Sequence, residues 1–185
     1  MIWRYIGTSI VCIVSLVTGS SQASETSIET FMAAQKVPLP AHYSFIQQRT
    51  IQGLPRPLTS SGELLINNDS IHWETKKPIA QSLQITAAGI VDTQSETQIR
   101  GGEVIAQLLL AVLAGDLDKI NTHFKVTING ECAVLTPQAK PLSQFITHID
   151  TCGSPQLNRI KLYEVNGNNS VIALTPKSPT SVKSD

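Results

Sequence analysis
Short runs of alternating apolar and polar residues, separated by turn residues, fill most of this chain, and one unbroken apolar run interrupts them. Phe45 to Trp73 sets the pattern. Phe45-Ile46-Gln47-Gln48-Arg49-Thr50-Ile51 leads into a link broken by Gly53, Pro55 and Pro57; Ser61-Gly62-Glu63-Leu64-Leu65-Ile66, a turn at Asn67-Asn68-Asp69 and Ile71-His72-Trp73-Glu74 follow. Three strand-like pieces joined by turn residues predict an antiparallel meander. Residues 42–51 predict a strand with Tyr43, Phe45 and Gln47 on one face. Residues 59–67 predict a second, with Gly62, Leu64 and Ile66 opposite Glu63 and Leu65. Residues 70–75 predict a third that carries Ile71 and Trp73 together and ends before Pro78. Residues 81–86 alternate with Leu83 and Ile85 inward, Ala88-Gly89 turns, and Ile90 to Thr93 returns. Thr97 to Arg100 is polar enough for an edge strand. Further strands are predicted at 123–128, 131–136, 145–152, 157–165 and 171–174. Asn129-Gly130 is the strongest hairpin signal, and residues 137–142 read as a short helical or irregular connection.

The unbroken run is Glu103 to Ala114, preceded by Gly101-Gly102 and ended by Gly115. It predicts a helix with Val104, Ile105, Leu108, Leu109, Val112 and Leu113 on a wide apolar face. Leu110 and Ala111 leave little polar surface opposite, and twelve residues span only about 18 Å, too short for a bilayer. Two readings stand: a core helix packed on both sides, and a lid over an apolar hollow. A shorter amphipathic helix is predicted from Ser24 to Gln35, capped by Ser24 or Thr26, with Ile28, Phe31, Met32 and Gln35 at helical spacing. It ends before Pro38 and plugs one end of the sheet. Asp116 to Ile120 reads as a short turn, its two aspartates in a solvated loop.

Composition narrows the function classes. Arg4, the apolar stretch Ile6 to Val17 and Ser21-Gln22-Ala23 have the layout of a cleavable secretory signal at residues 1–23. Cys12 falls inside that stretch after Ser9-Ile10-Val11, which is not a lipid-attachment pattern. Removing the first 23 of 185 residues leaves 162, one domain over residues 24–175 followed by a Ser/Pro/Lys-rich tail, 176–185, expected to be disordered. The 14 basic and 14 acidic residues form no basic patch, which argues against nucleic acid as a partner. In an exported chain the remaining pair, Cys132 and Cys152, is most simply a disulfide. It would close a loop of about twenty residues, worth about 3 kcal/mol. The four histidines, His42, His72, His123 and His148, are scattered, so no metal site is signalled. No nucleophile elbow and no glycine-rich phosphate loop occurs. The expectation is a non-enzyme without a cofactor.

In order along the chain stand Ser44-Phe45-x-Gln47, Ser61-Gly62-x-Leu64, a turn, Trp73, Pro78, the apolar helix, Phe124-x-Val126, Asn129-Gly130 and Leu135-Thr136-Pro137. This ordered set, from about Ile28 to Leu174, resembles the LolA family of periplasmic lipoprotein carriers. The resemblance implies an α+β, mainly β fold: an unclosed antiparallel half-barrel sheet with an apolar helical lid. It implies a monomer in the periplasm of a Gram-negative bacterium. Its cargo would be the acyl chains of a lipoprotein or another lipid-linked molecule, received from an inner-membrane exporter and passed to an outer-membrane acceptor. On this reading Phe45, Leu64, Ile66, Trp73, Leu83, Ile85, Leu108, Leu109, Val112 and Leu113 surround the cavity. The alternative is a sensor or scaffold of the same fold with a filled core that docks a membrane partner. One departure stands out. The family carries an Arg-Pro turn that latches the lid, where this chain has Asn67-Asn68-Asp69. Arg49 and Arg100 are the charged candidates for a different latch.

Overall fold
The computed structural model describes residues 27–140 and 142–177; residues 1–26, 141 and 178–185 lie outside them. Eleven strands form one sheet: β1 (Ala41–Thr50), β2 (Leu58–Ile66), β3 (Ser70–Lys77), β4 (Gln81–Thr86), β5 (Gly89–Asp92), β6 (Thr97–Gln98), β7 (Phe124–Asn129), β8 (Cys132–Pro137), β9 (Ile146–Cys152), β10 (Arg159–Glu164) and β11 (Asn169–Pro176). Their spatial order is β6-β5-β4-β3-β2-β1-β11-β10-β9-β8-β7. Neighbours are antiparallel and β6 does not pair with β7, so the sheet is unclosed. The alternating pattern anticipates each meander. What joins them is a long-range pairing of β1 with β11, from Tyr43 opposite Pro176 to Thr50 opposite Asn169.

Among the described residues three α-helices accompany the sheet, α1 (Ile28–Ala34), α2 (Gly102–Ala114) and α3 (Leu117–Asn121), with a 3-10 turn at Leu142–Gln144. The cap of α1 is Ser27, whose hydroxyl accepts from the Thr30 amide, whereas Ser24 and Thr26 lie outside the described residues. Phe31 and Met32 are buried, and Gln35 Nε2 donates to the carbonyls of Thr151 and Gly153, fastening the helix to the end of β9. The expected turn at Asp116 to Ile120 is instead the helix α3. Asp116 caps it through the Lys119 amide at 3.1 Å, and Ile120 is buried, so this segment is not a solvated loop. The β7–β8 turn also sits one residue later than the Asn-Gly signal suggests. Asn129 pairs with Cys132, leaving Gly130 (φ +59°) and Glu131 as the turn. Cys132 and Cys152 are register partners on β8 and β9 and are joined by a disulfide.

The sheet's inner face changes character along the strands. At the end where β1 begins, Tyr43, Phe45, Leu64, Ile66, Ile71, Ile85 and Leu174 are buried. The Tyr43 hydroxyl, its pKa raised by burial, accepts from Gln156 Nε2 at 2.6 Å and helps seal that end. Midway, Trp73, Leu83, Leu162 and Ile172 are only partly buried. At the far end the inner positions turn polar: Ser60 donates to Gln47 at 3.3 Å, and Arg49 pairs with Glu164 at 2.7 Å. The hollow is therefore filled at one end, apolar and half-open in the middle, and polar at its lip.

Gly62 explains the Ser-Gly motif on β2. It stands opposite Phe45 in register, and a Cβ there would fall 1.9 Å from the Glu74 carbonyl oxygen and 2.8 Å from the Phe45 ring. Only a bare backbone lets the ring lie across β2 and reach Trp73, at 4.8 Å between ring centroids.

The outer face is tied by Glu63. Its carboxylate accepts from Lys177 at 2.8 Å, Lys76 at 2.6 Å and His42 at 3.0 Å, linking β1, β2, β3 and the end of β11. These partners, Lys177 foremost, hold its pKa down from an ordinary 4.5 to about 2. A lowered carboxylate pKa adds stability that is complete above the unfolded value and disappears as pH falls through the folded one. In acid titrations of unfolding free energy, wild type should lose this share between about pH 4.5 and about pH 2. Glu63→Gln should be weaker at neutral pH and show a shallower fall over that window.

Candidate ligand-binding cavity
Helix α2 runs beneath the inner face between two left-handed glycines, Gly101 (φ +71°) and Gly115 (φ +65°). A side chain at either position would be strained, so glycine is what lets the chain reverse direction at both ends of the helix. The N-terminal half lies by β4 and β5, with Gln107 Nε2 donating to the Ala87 carbonyl at 3.4 Å. The C-terminal end accepts the Val37 amide at the Leu113 carbonyl, 3.0 Å. Ala106, Leu108, Ala111, Val112 and Leu113 are buried, while Ile105, Leu109 and Leu110 are partly so.

Between α2 and the sheet lies a cavity of about 160 Å³. Its walls are Trp73 of β3, Ile105, Leu108, Leu109 and Val112 of α2, Ile149 and Thr151 of β9, Ile160 and Leu162 of β10, and Ile172 of β11. Strands β3 and β9 are five steps apart in the sheet, which at flat spacing is about 24 Å. Both line one small void, so the sheet must wrap around the helix. The walls are carbon but for one hydroxyl: Thr151 is 1% exposed, and its Oγ1 has no hydrogen-bond partner among the described residues.

A second, more open groove of about 490 Å³ lies on the other side of α2. The β2–β3 turn (Asn68, Asp69) and Ala87 bound it on one side, and Lys119, Thr122, His123 and Phe124 on the other. Leu108, 6% exposed, is part of both walls, so this one side chain separates the groove from the inner cavity. The groove's polar edge is fixed by the Lys119–Asp116 ion pair at 2.9 Å, which, with the Lys119 amide, lowers the Asp116 pKa.

Of the ten residues named from sequence, Trp73, Leu108, Leu109 and Val112 line the cavity. Phe45, Leu64, Ile66, Ile85 and Leu113 are buried in the surrounding core, and Leu83 packs partly buried against it. Phe45 stands behind Trp73 and sets the tilt of the indole, 51° between ring planes. Sequence reasoning omits the far wall, Ile149, Thr151, Ile160, Leu162 and Ile172. Their alternation is visible, but only the β1–β11 pairing brings them opposite Trp73. The candidate latch Arg49 is engaged with Glu164 across the lip and does not hold α2. Arg100 is exposed just before α2 and forms no ion pair among the described residues. The Asn67-Asn68-Asp69 turn flanks the groove beside α2. No three His, Cys, Asp or Glu side chains cluster as a metal site among the described residues. With no nucleophile and base brought together at this wall, the arrangement can enclose apolar matter and exclude water.

No family model and no curated protein matches the sequence. Among solved structures, the chain is similar to a LolA superfamily protein from Nitrosomonas europaea, at 8% identity and a TM-score of 0.46 over 83% of this chain and 94% of that one. It is also similar to a chain of the MucA/MucB complex from Pseudomonas aeruginosa, at 9% identity and a TM-score of 0.44, over 83% of this chain and 56% of that one. A DUF1329 family protein from Desulfovibrio piger follows, at 11% identity and a TM-score of 0.31 over 77% and 87% of the two chains. These are structural similarities at low identity, and they carry no information on ligand or partner.

Proposed function
We propose that this protein is a non-catalytic carrier that holds an acyl chain of a lipid or lipoprotein between α2 and the sheet and releases it when the helix swings out. The observation that supports this most is the almost wholly carbon-walled void of about 160 Å³ beside Leu109 and Trp73. Each methylene moved from water into such a place contributes about 0.8 kcal/mol, so even part of a chain gives useful affinity. Ligand sites are usually about 300 Å³ or more. The void is thus a closed-state remnant, and a full chain needs α2 or Leu108 to move. The glycines at both ends of α2 let the chain turn there, and Leu108, shared by groove and cavity, is the side chain whose movement would join them. The disulfide between Cys132 and Cys152 supports an oxidising compartment such as the periplasm. Among the described residues no helix is long and apolar enough to cross a membrane.

The modest size of the void favours one rival, a filled-core module that docks a membrane partner and carries nothing. Native mass spectrometry of protein purified from its own compartment separates the two. Copurified acylated cargo, or uptake of a fluorescent fatty acid, is the expected result, and Leu109→Trp should fill the cavity and weaken that uptake roughly ten-fold. A protein that is empty and takes up no fatty acid belongs to the rival.

Thr151 supplies a second check. A buried hydroxyl without a partner costs about 1–3 kcal/mol, so Thr151→Val should raise the unfolding free energy of the empty protein, by about 1 kcal/mol, in denaturant titrations. A loss of stability would mean that the hydroxyl is bonded after all.

A further inference from the structure
We propose that the end of the sheet where the polar lip lies is a docking surface for an anionic lipid bilayer. Of the nine exposed large hydrophobic side chains among the described residues, Leu54, Leu58, Ile79, Phe145 and Val165 stand at this one end. They come from different connections: β1–β2 (Leu54, with Leu58 opening β2), β3–β4 (Ile79), the approach to β9 (Phe145) and β10–β11 (Val165). Ile79 is 78% exposed and Phe145 67%, which is costly for side chains that face only water.

Hydrogen bonds tie the β1–β2 and β10–β11 tips and Phe145 together. The Val165 amide donates to the Phe145 carbonyl at 2.9 Å, the Gln52 amide to Asn168 Oδ1 at 3.0 Å and the Leu54 amide to the Ile51 carbonyl at 3.1 Å. Exposed cations lie between them. Arg56, Lys77 and Lys140 belong to the same loops and strand ends, and none is in an ion pair among the described residues. Of the acids on these connections, Glu164 pairs with Arg49, Asp92 accepts from Gln81 and from the amides of its own turn, and Glu96 is exposed without an ion pair among the described residues. Apolar tips on separate loops, with unpaired cations among them, match the two layers of a membrane surface. The side chains enter the acyl boundary and the cations meet anionic headgroups. A protein partner would more usually be met by a contiguous apolar patch. The half-open middle of the hollow lies behind this lip, so docking here presents the cavity to the bilayer. The proposal does not depend on what the cavity holds.

The test is cosedimentation with vesicles of phosphatidylcholine alone or mixed with phosphatidylglycerol, at low and high salt. The full protein should bind the mixed vesicles, less so in high salt. The double variant Ile79→Asp/Phe145→Asp should lose roughly ten-fold or more in affinity, and Lys77→Gln roughly five-fold. Ile46→Asp, on the outer face and 55% exposed, should bind like wild type. Circular dichroism checks that the variants fold, and Ile79→Asn alone replaces the double variant if that one does not. Failure of wild type to bind, binding indifferent to phosphatidylglycerol, or an equal loss in Ile46→Asp would overturn the proposal. So would a wild-type dimer in sedimentation velocity that the rim variant abolishes, since a second copy would then cover this end. Loss of fatty-acid uptake with vesicle binding intact would count against the carrier reading alone.

Discussion
A sheet of eleven strands curved around one side must bury that side, and here one long helix of 13 residues, with the short α1 and α3 beside it, is set against it. Such a helix is about 20 Å long and about 10–12 Å across, which is less than the inner face requires. The shortfall is visible strand by strand. Tyr43, Ile66, Ile71 and Ile85 are covered, while Trp73, Leu83, Leu162 and Ile172 are covered only in part. Apolar positions without enough partners leave a void, and the void lies between the middle of α2 and the sheet. The cavity is thus a consequence of the ratio of sheet to helix, and the identity of any one wall residue matters less.

The remaining elements keep that mismatch from collapsing. Phe31 and Met32 of α1, the Gln35 bonds to β9 and the Tyr43–Gln156 pair close the filled end. Glu63 and the Cys132–Cys152 bond tie strands on the outer side, away from α2. The sheet is cross-linked, and the helix is attached through glycine ends and an apolar face. That division suits a rigid shell with a movable cover, because displacing α2 disturbs few polar contacts. The polar pairs at the lip, Gln47–Ser60 and Arg49–Glu164, bring hydrogen-bonding side chains to the inner face where it meets water.

Much of this was readable in the residues. Local alternation placed the strands, because period-two burial needs only neighbours in sequence, and the glycines at 101, 102 and 115 bounded α2. The curved, unclosed sheet with an apolar helix followed from the resemblance and is what the chain forms. What escaped was set by distance along the chain. The β1–β11 pairing spans well over a hundred residues, and without it the far wall of the cavity has no address. Thr151 reads as an ordinary strand threonine, since nothing near it in sequence says that it faces carbon. Asp116 to Ile120 was too short and too charged for its helix to outweigh a turn, until Ile120 found a core to enter. Gly62 was visible as part of a motif, but its reason, the Phe45 ring lying across it, needs the register of two strands.

The most direct measurement uses Trp73, the one tryptophan left when residues 1–23 are removed. Fatty acids brominated at mid-chain should quench its fluorescence saturably, because the bound chain would lie against the indole, and unbrominated chains of equal length should compete. Saturable binding with Trp73 untouched would place the chain elsewhere and contradict a ligand hollow beneath α2.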